Sequence, residues 1–140
     1  MNGQNLNKDK GLEGNEKLEE AILALQREPS EEMLAHVLTV VRRRMNERGQ
    51  LIISVDPAAE DGAPLQLRIM QTDDGRRWWN AYTSFDEELK GGNQVMSTFM
   101  ADIDKLFDMA LQADGINGVI INPWNRTLML DKNLIKIIKG

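Results

Sequence analysis

Gly118–Leu130, GVIINPWNRTLML, is the stretch whose reading decides the fold. The apolar run Gly118–Ile121 leads into Asn122-Pro123-Trp124-Asn125-Arg126, and a second apolar run returns through Leu130. That order reads as a strand, a tight turn and a returning strand. Asparagine suits the first position of a β-turn and proline the second, which accounts for the reversal at Asn122-Pro123. Val119-Ile120-Ile121 is apolar at consecutive positions. A strand of that kind is covered on both faces, so it is expected near the centre of a sheet.

On the C-terminal side, Asp131 is expected to cap a short helix with Leu134, Ile137 and Ile138 as its apolar side. On the N-terminal side, Gly115 stops a helix whose core side is Met100, Ile103, Leu106, Phe107, Ala110 and Leu111, capped by Ser97 or Thr98. Before it, Ser84-Phe85-Asp86-Glu87 has the spacing of a capping box and predicts a short helical turn to Leu89. Gly91-Gly92-Asn93 breaks that turn, and Val95-Met96 can add a short strand. Leu51–Val55, Leu65–Met70 and Arg77–Thr83 alternate as strands. Asp73-Asp74-Gly75 joins the last two through a two-residue turn, and the Asp56–Pro64 loop separates the first two.

Two amphipathic helices open the domain. The first starts at Asn15 as N-cap, with Leu18, Ala21, Ile22 and Leu25 at helical spacing. Ser30 caps the second, whose stripe is Leu34, Val37, Leu38, Val41 and Met45. Arg42, Arg43, Arg44 and Arg48 complement its C-terminal dipole before Gly49 closes it. Residues 1–14 carry few apolar groups and are expected to be a flexible leader, leaving residues 15–140 as one domain. Two helices, a run of strands, a helix, a hairpin and a helix predict an α+β fold. The expected sheet is mixed, mostly antiparallel and five- or six-stranded, with helices packed against it.

The chain has 140 residues, 41% apolar and 28% charged, the size and composition of one soluble globular domain. Cysteine is absent, which removes disulfides, thiolate metal sites and a cysteine nucleophile together and fits a cytoplasmic location. The N-terminus has no apolar core of signal-peptide type, and no apolar run approaches the roughly 18 residues that span a bilayer. A net charge of −5 argues against general nucleic-acid affinity.

Three features together resemble the N-terminal domain of the SseB family, the enhanced serine sensitivity proteins. They are the paired opening helices, Tyr82-Thr83-Ser84 followed by the acidic Asp86-Glu87-Glu88-Leu89 turn, and the hairpin Gly118-Val119-Ile120-Ile121-Asn122-Pro123. Their order and spacing agree over about residues 15–138. The resemblance implies a bacterial cytoplasmic α/β domain without an established activity. Family members often carry a second, C-terminal domain beyond the point where this sequence stops, at Gly140.

No residue set demands a particular chemistry. His36, the sole histidine, lacks the converging partners of a metal site and reads as a helix-flanking, partly exposed residue. Ser84 reads as a cap, since no nucleophile elbow surrounds it. Asp86-Glu87-Glu88 reads as solvated helix-start electrostatics rather than a carboxylate pair. No phosphate-binding glycine loop is present. Arg76-Arg77-Trp78-Trp79 could stack on nucleic-acid bases or make an internal cation–π contact, and net acidity favours the latter. No catalytic residue, metal or cofactor is expected.

The aromatic residues are more informative, because Trp78, Trp79, Tyr82, Phe85 and Trp124 concentrate in two strand–turn regions. Trp124 either folds back as a lid on the core or stands out as an anchor for a partner. The expected function is that of a non-enzymatic protein-interaction domain, with an unidentified protein partner or a second copy. Its surface would comprise Tyr82, Thr83, Ser84, Phe85, Asn122, Pro123, Trp124 and Arg126. The alternatives are a small-ligand sensor or weak hydrolase with a pocket under the same turns, and, more weakly, an accessory nucleic-acid binder.

Overall fold

The computed structural model describes residues 10–56, 66–90 and 97–140. Helices α1 (Asn15–Arg27) and α2 (Glu31–Asn46) precede strands β1 (Gln50–Asp56), β2 (Gln66–Leu67), β3 (Ile69–Gln71) and β4 (Arg77–Tyr82). Then come α3 (Phe85–Leu89), β5 (Ser97–Asp102), α4 (Ile103–Gln112), β6 (Gly118–Ile121), β7 (Leu128–Asp131) and α5 (Lys132–Lys139). The expected α+β class is the observed one. Only Arg68 separates β2 from β3, so the sheet has six strands when the two are counted together.

Pairing runs β5–β1–β4–β6–β7 and is antiparallel except between β4 and β6, which are parallel. The β2–β3 segment fills the fork where β1 and β4 diverge. It pairs with β1 at Val55↔Leu67 and with β4 from Ile69↔Trp79 to Gln71↔Arg77. Arg68 bridges the fork through its backbone, donating to Ser54 O at 2.9 Å and accepting from Asn80 N at 3.1 Å.

One face of the sheet carries Leu51, Ile53, Ala81, Val119, Ile121, Leu128 and Leu130. The helices pack on it through Leu18 and Ile22 of α1, Val37 and Val41 of α2, Leu106 and Phe107 of α4, and Ile135 and Ile138 of α5. Each such side chain contributes about 2 kcal/mol on leaving water, which makes this layer the main source of stability. The opposite face is also buried at Ile52, Trp78, Tyr82 and Ile120. The continuous apolar run Val119–Ile121 is thus covered on both faces as its sequence indicates, in an interior strand one in from the edge strand β7.

Several local expectations hold and others are corrected. Ser30, Ser84 and Asp131 cap their helices, accepting from Met33 N, Glu87 N and Leu134 N respectively. Ser97–Asp102, expected to begin a helix, is instead strand β5, in six-residue register with β1. Ladder bonding there overrides local helical spacing, Met100 lies in the strand, and α4 starts only at Ile103. In α5 the buried positions are Ile135 and Ile138, while Ile137 is exposed, so the stripe is shifted from that expected.

The β3–β4 connection is a three-residue loop rather than a two-residue turn. Gly75 N donates to Thr72 O, Thr72 N donates to Arg76 O, and Gly75 takes the left-handed conformation at φ 85°. Thr72 Oγ1 and the backbone and side chain of Arg76 all donate to Asp74, holding its carboxyl down to about 2. Arg76 also lies 5.6 Å from the Trp78 ring centroid, an internal cation–π contact within the basic–aromatic run.

At the end of α2 the left-handed residue is Arg48, with φ 63°, not Gly49. Gly49 is required for a different reason: a Cβ there would lie 2.7 Å from both Arg44 O and Arg44 Nη2. Of the expected leader, residues 1–9 lie outside the described residues, and Lys10–Leu12 form a 3-10 turn. The expected loop over residues 57–64 and the break and short strand within residues 91–96 also lie outside them.

Gly118, the first residue of β6, sits where a Cβ would come within 2.0 Å of Leu130 O on the neighbouring strand. That atom belongs to backbone and cannot rotate aside. Gly118→Ala is therefore expected to lower stability by at least about 2 kcal/mol, read as a reduced urea midpoint at unchanged slope.

Candidate functional site

Because β4 and β6 run parallel, their C-terminal ends emerge side by side, and Thr83 and Asn122 follow them directly. Asn122 N extends the ladder by donating to Ala81 O at 2.8 Å. The backbone then leaves the strand with Asn122 at φ 54°, a conformation that asparagine tolerates better than other non-glycine residues. Its side-chain amide replaces the lost peptide: Oδ1 accepts from Thr83 N at 2.9 Å and Nδ2 donates to Thr83 Oγ1 at 3.0 Å. Asn125 N donates to Asn122 O, closing the Asn-Pro-Trp-Asn turn as the residue types indicate. Thr127 Oγ1 also donates to Asn122 O, at 2.7 Å.

Thr83 passes the contact to the helices through its hydroxyl, which donates to Glu19 on α1. Its carbonyl accepts from Asn15 Nδ2 at 3.1 Å, and the same amide nitrogen donates to Gln50 O at 2.9 Å. Asn15 Oδ1 in turn accepts from Arg44 Nε at 2.9 Å, and Arg44 Nη2 donates to Gly11 O at 2.9 Å. These contacts correct two expectations. Asn15 does not cap α1, which starts after Gly14 in the left-handed conformation without a side-chain cap. Arg44, expected only to complement the helix dipole from the last turn of α2, is buried and bonded to Asn15, Glu47 and Gly11. Arg42 also has a different partner, donating to Ile138 O and Ile137 O at the end of α5.

Glu87 is the second centre. Its side chain is 0% exposed, so the acidic run is not solvated along its whole length. Oε2 accepts from Arg126 Nη2 at 2.6 Å, Lys90 Nζ at 3.1 Å and Asn125 Nδ2 at 3.2 Å, while Oε1 has no partner. Arg126, at φ 48°, also reaches Glu19 at 3.6 Å. Burial by itself pushes the Glu87 carboxyl up, but the bonds from Arg126, Lys90 and Asn125 together hold it below its ordinary 4.5. The second half of the capping box is absent because the carboxylate turns to the 122–126 turn instead of back to Ser84.

The two expected turns are therefore bonded to each other at two points, Thr83–Asn122 and Glu87–Arg126. Tyr82, Thr83 and Asn122 are buried, and the last two spend their hydrogen bonds within the fold, so they position the surface. Ser84, Pro123 and Arg126 are half-buried. Phe85 and Trp124 are each 41% exposed, which answers the alternative left open for Trp124: it is outside the core.

A cleft of about 370 Å³ opens beside the 83–86 turn, with Leu12, Asn15, Glu19, Thr83 and Phe85 among its lining residues. His36 is exposed on α2, and no group of His, Cys, Asp and Glu among the described residues could hold a metal ion. The part of this site that sequence reading missed is Asn15, Glu19, Arg44 and Glu87. Arg44 was signalled: it follows Val37 and Val41 on the apolar stripe of α2, where a charge needs a buried partner. Comparison with family models, curated proteins and solved structures gives no match.

Arg126→Ala is expected to cost about 2–3 kcal/mol in a denaturant titration, because it strips the shortest bond from a buried carboxylate. Glu87 has a depressed pKa in the folded state, so its contribution is present above the unfolded value and lost as pH falls through the folded one. Stability should thus drop below pH 4.5, and Glu87→Gln should flatten that part of the profile.

Proposed function

We propose that this protein is a non-enzymatic interaction domain of the SseB N-terminal type, binding a protein partner or a second copy through its joined turns. The observation that carries the reading is the bonded pairing of the two turns with Phe85 and Trp124 left exposed at its surface. Exposed aromatics on a backbone already fixed by buried bonds lose little entropy on docking, and such residues dominate interface energies. The two motifs that carry the family resemblance, Thr83-Ser84 and Asn122-Pro123, are joined through Thr83 and Asn122, which supports a common structural origin for them. The family reading also implies a bacterial, cytoplasmic protein. No helix among the described residues is long and apolar enough to cross a membrane.

The cleft beside the 83–86 turn favours one second reading, a small-ligand sensor. A reproducible ligand-dependent rise in melting temperature across a metabolite screen would support it.

Trp124→Ala is expected to weaken partner capture or self-association about tenfold or more, measured by pull-down or light scattering, with unchanged far-UV circular dichroism. Native association in that variant would remove Trp124 as the anchor.

A further inference from the structure

The cleft beside the 83–86 turn has a chemical bias that the interaction reading does not specify. Its lining includes Glu13, Glu16, Glu19 and Asp86, and no Lys or Arg among the described residues. Glu19 is engaged by Thr83 and Arg126, so its charge is matched within the fold. Glu13, Glu16 and Asp86 are exposed and form no ion pair among the described residues. Glu16 accepts only from the neighbouring Gly14 N, at 3.1 Å. The three come from two separate segments, the entry to α1 and the start of α3. Half-buried Leu12 and exposed Phe85 add apolar surface to the same lining.

We propose that this cleft receives a basic peptide segment of a partner protein, its Lys or Arg side chains alternating with apolar ones. Resting on the interaction reading, the proposal names the partner's chemistry. An arginine stem can lie on Leu12 and the Phe85 ring while its guanidinium meets the rim carboxylates. Charges at an exposed rim steer encounter and select sign rather than supply deep affinity, which suits an extended ligand anchored elsewhere. Trp124, on the turn bonded to the cleft's own, is such an anchor. A metal ion does not fit, since no described acidic group converges to hold one. A second copy fits poorly, because the chain carries a net charge of −5, the same sign as the cleft.

The test uses the full chain and three probes: a fluorescein-labelled peptide of alternating Arg and Leu, its Glu–Leu counterpart, and free arginine as competitor. Fluorescence anisotropy should show binding of the Arg–Leu peptide that weakens with added salt, and none of the Glu–Leu peptide. The double variant Glu13→Gln/Asp86→Asn changes exposed residues outside the buried network. It should weaken binding about tenfold and flatten the salt dependence. Native affinity in the double variant, equal binding of both peptides, or free arginine competing as tightly as the peptide would each overturn the proposal. Loss of binding in Trp124→Ala with retention in the double variant leaves the turn surface standing and removes the cleft. The reverse pattern keeps the cleft and removes Trp124 as anchor.

Discussion

The parallel contact between β4 and β6 is the constraint on which the rest of the structure depends. It sets the ends of two strands next to each other, and a chain leaving a parallel ladder loses its next pair of hydrogen bonds. Asn122 meets that loss with a side chain that imitates a peptide. A chain of polar contacts at this end of the sheet builds outward from the Thr83–Asn122 pair. Thr83 reaches Glu19 and Asn15; Asn15 reaches Arg44; Glu19 reaches Arg126; Arg126 reaches Glu87. Buried polar groups are costly when unmatched, so such a chain is stable only when nearly complete. Its completeness fixes the relative positions of α1, α2, α3 and the β6–β7 turn.

This arrangement separates two roles that share the same short motifs. Thr83 and Asn122 are buried and committed to each other, whereas Phe85 and Trp124 stand on the outside of the same turns. Thr83 and Asn122 belong to the scaffold, and their aromatic neighbours are exposed. A substitution at Asn122 and one at Trp124 therefore test different properties although they lie two positions apart.

Much of the fold was legible because its signals are local. Periodicity revealed α1, α2 and the lower part of α4, while Ser30, Ser84 and Asp131 announced their helices through capping chemistry. The run Val119-Ile120-Ile121 announced a doubly covered strand. The strand character of Ser97–Asp102 is not legible locally, because it comes from pairing with β1, a partner 40 or more residues away. The interior of the candidate site was illegible for the same reason. Nothing adjacent to Asn15 shows that its amide will bridge Gln50 and Thr83, and nothing beside Glu87 points to Arg126. Arg44 is the exception, since a charge on an apolar stripe is visible without knowing its partner.

The β4–β6 pairing also has a kinetic meaning. Trp78 aligns with Gly118, so the centre of the sheet joins segments separated by α3, β5 and α4. During synthesis β4 leaves the ribosome long before its parallel neighbour exists. Until then β4 has an unpaired backbone edge along Trp78–Ala81, where β6 will add. Closing so long a loop costs entropy before the new contacts repay it, which places sheet completion late in folding. The nascent chain is then most open to association with other chains in the interval between β4 and β6.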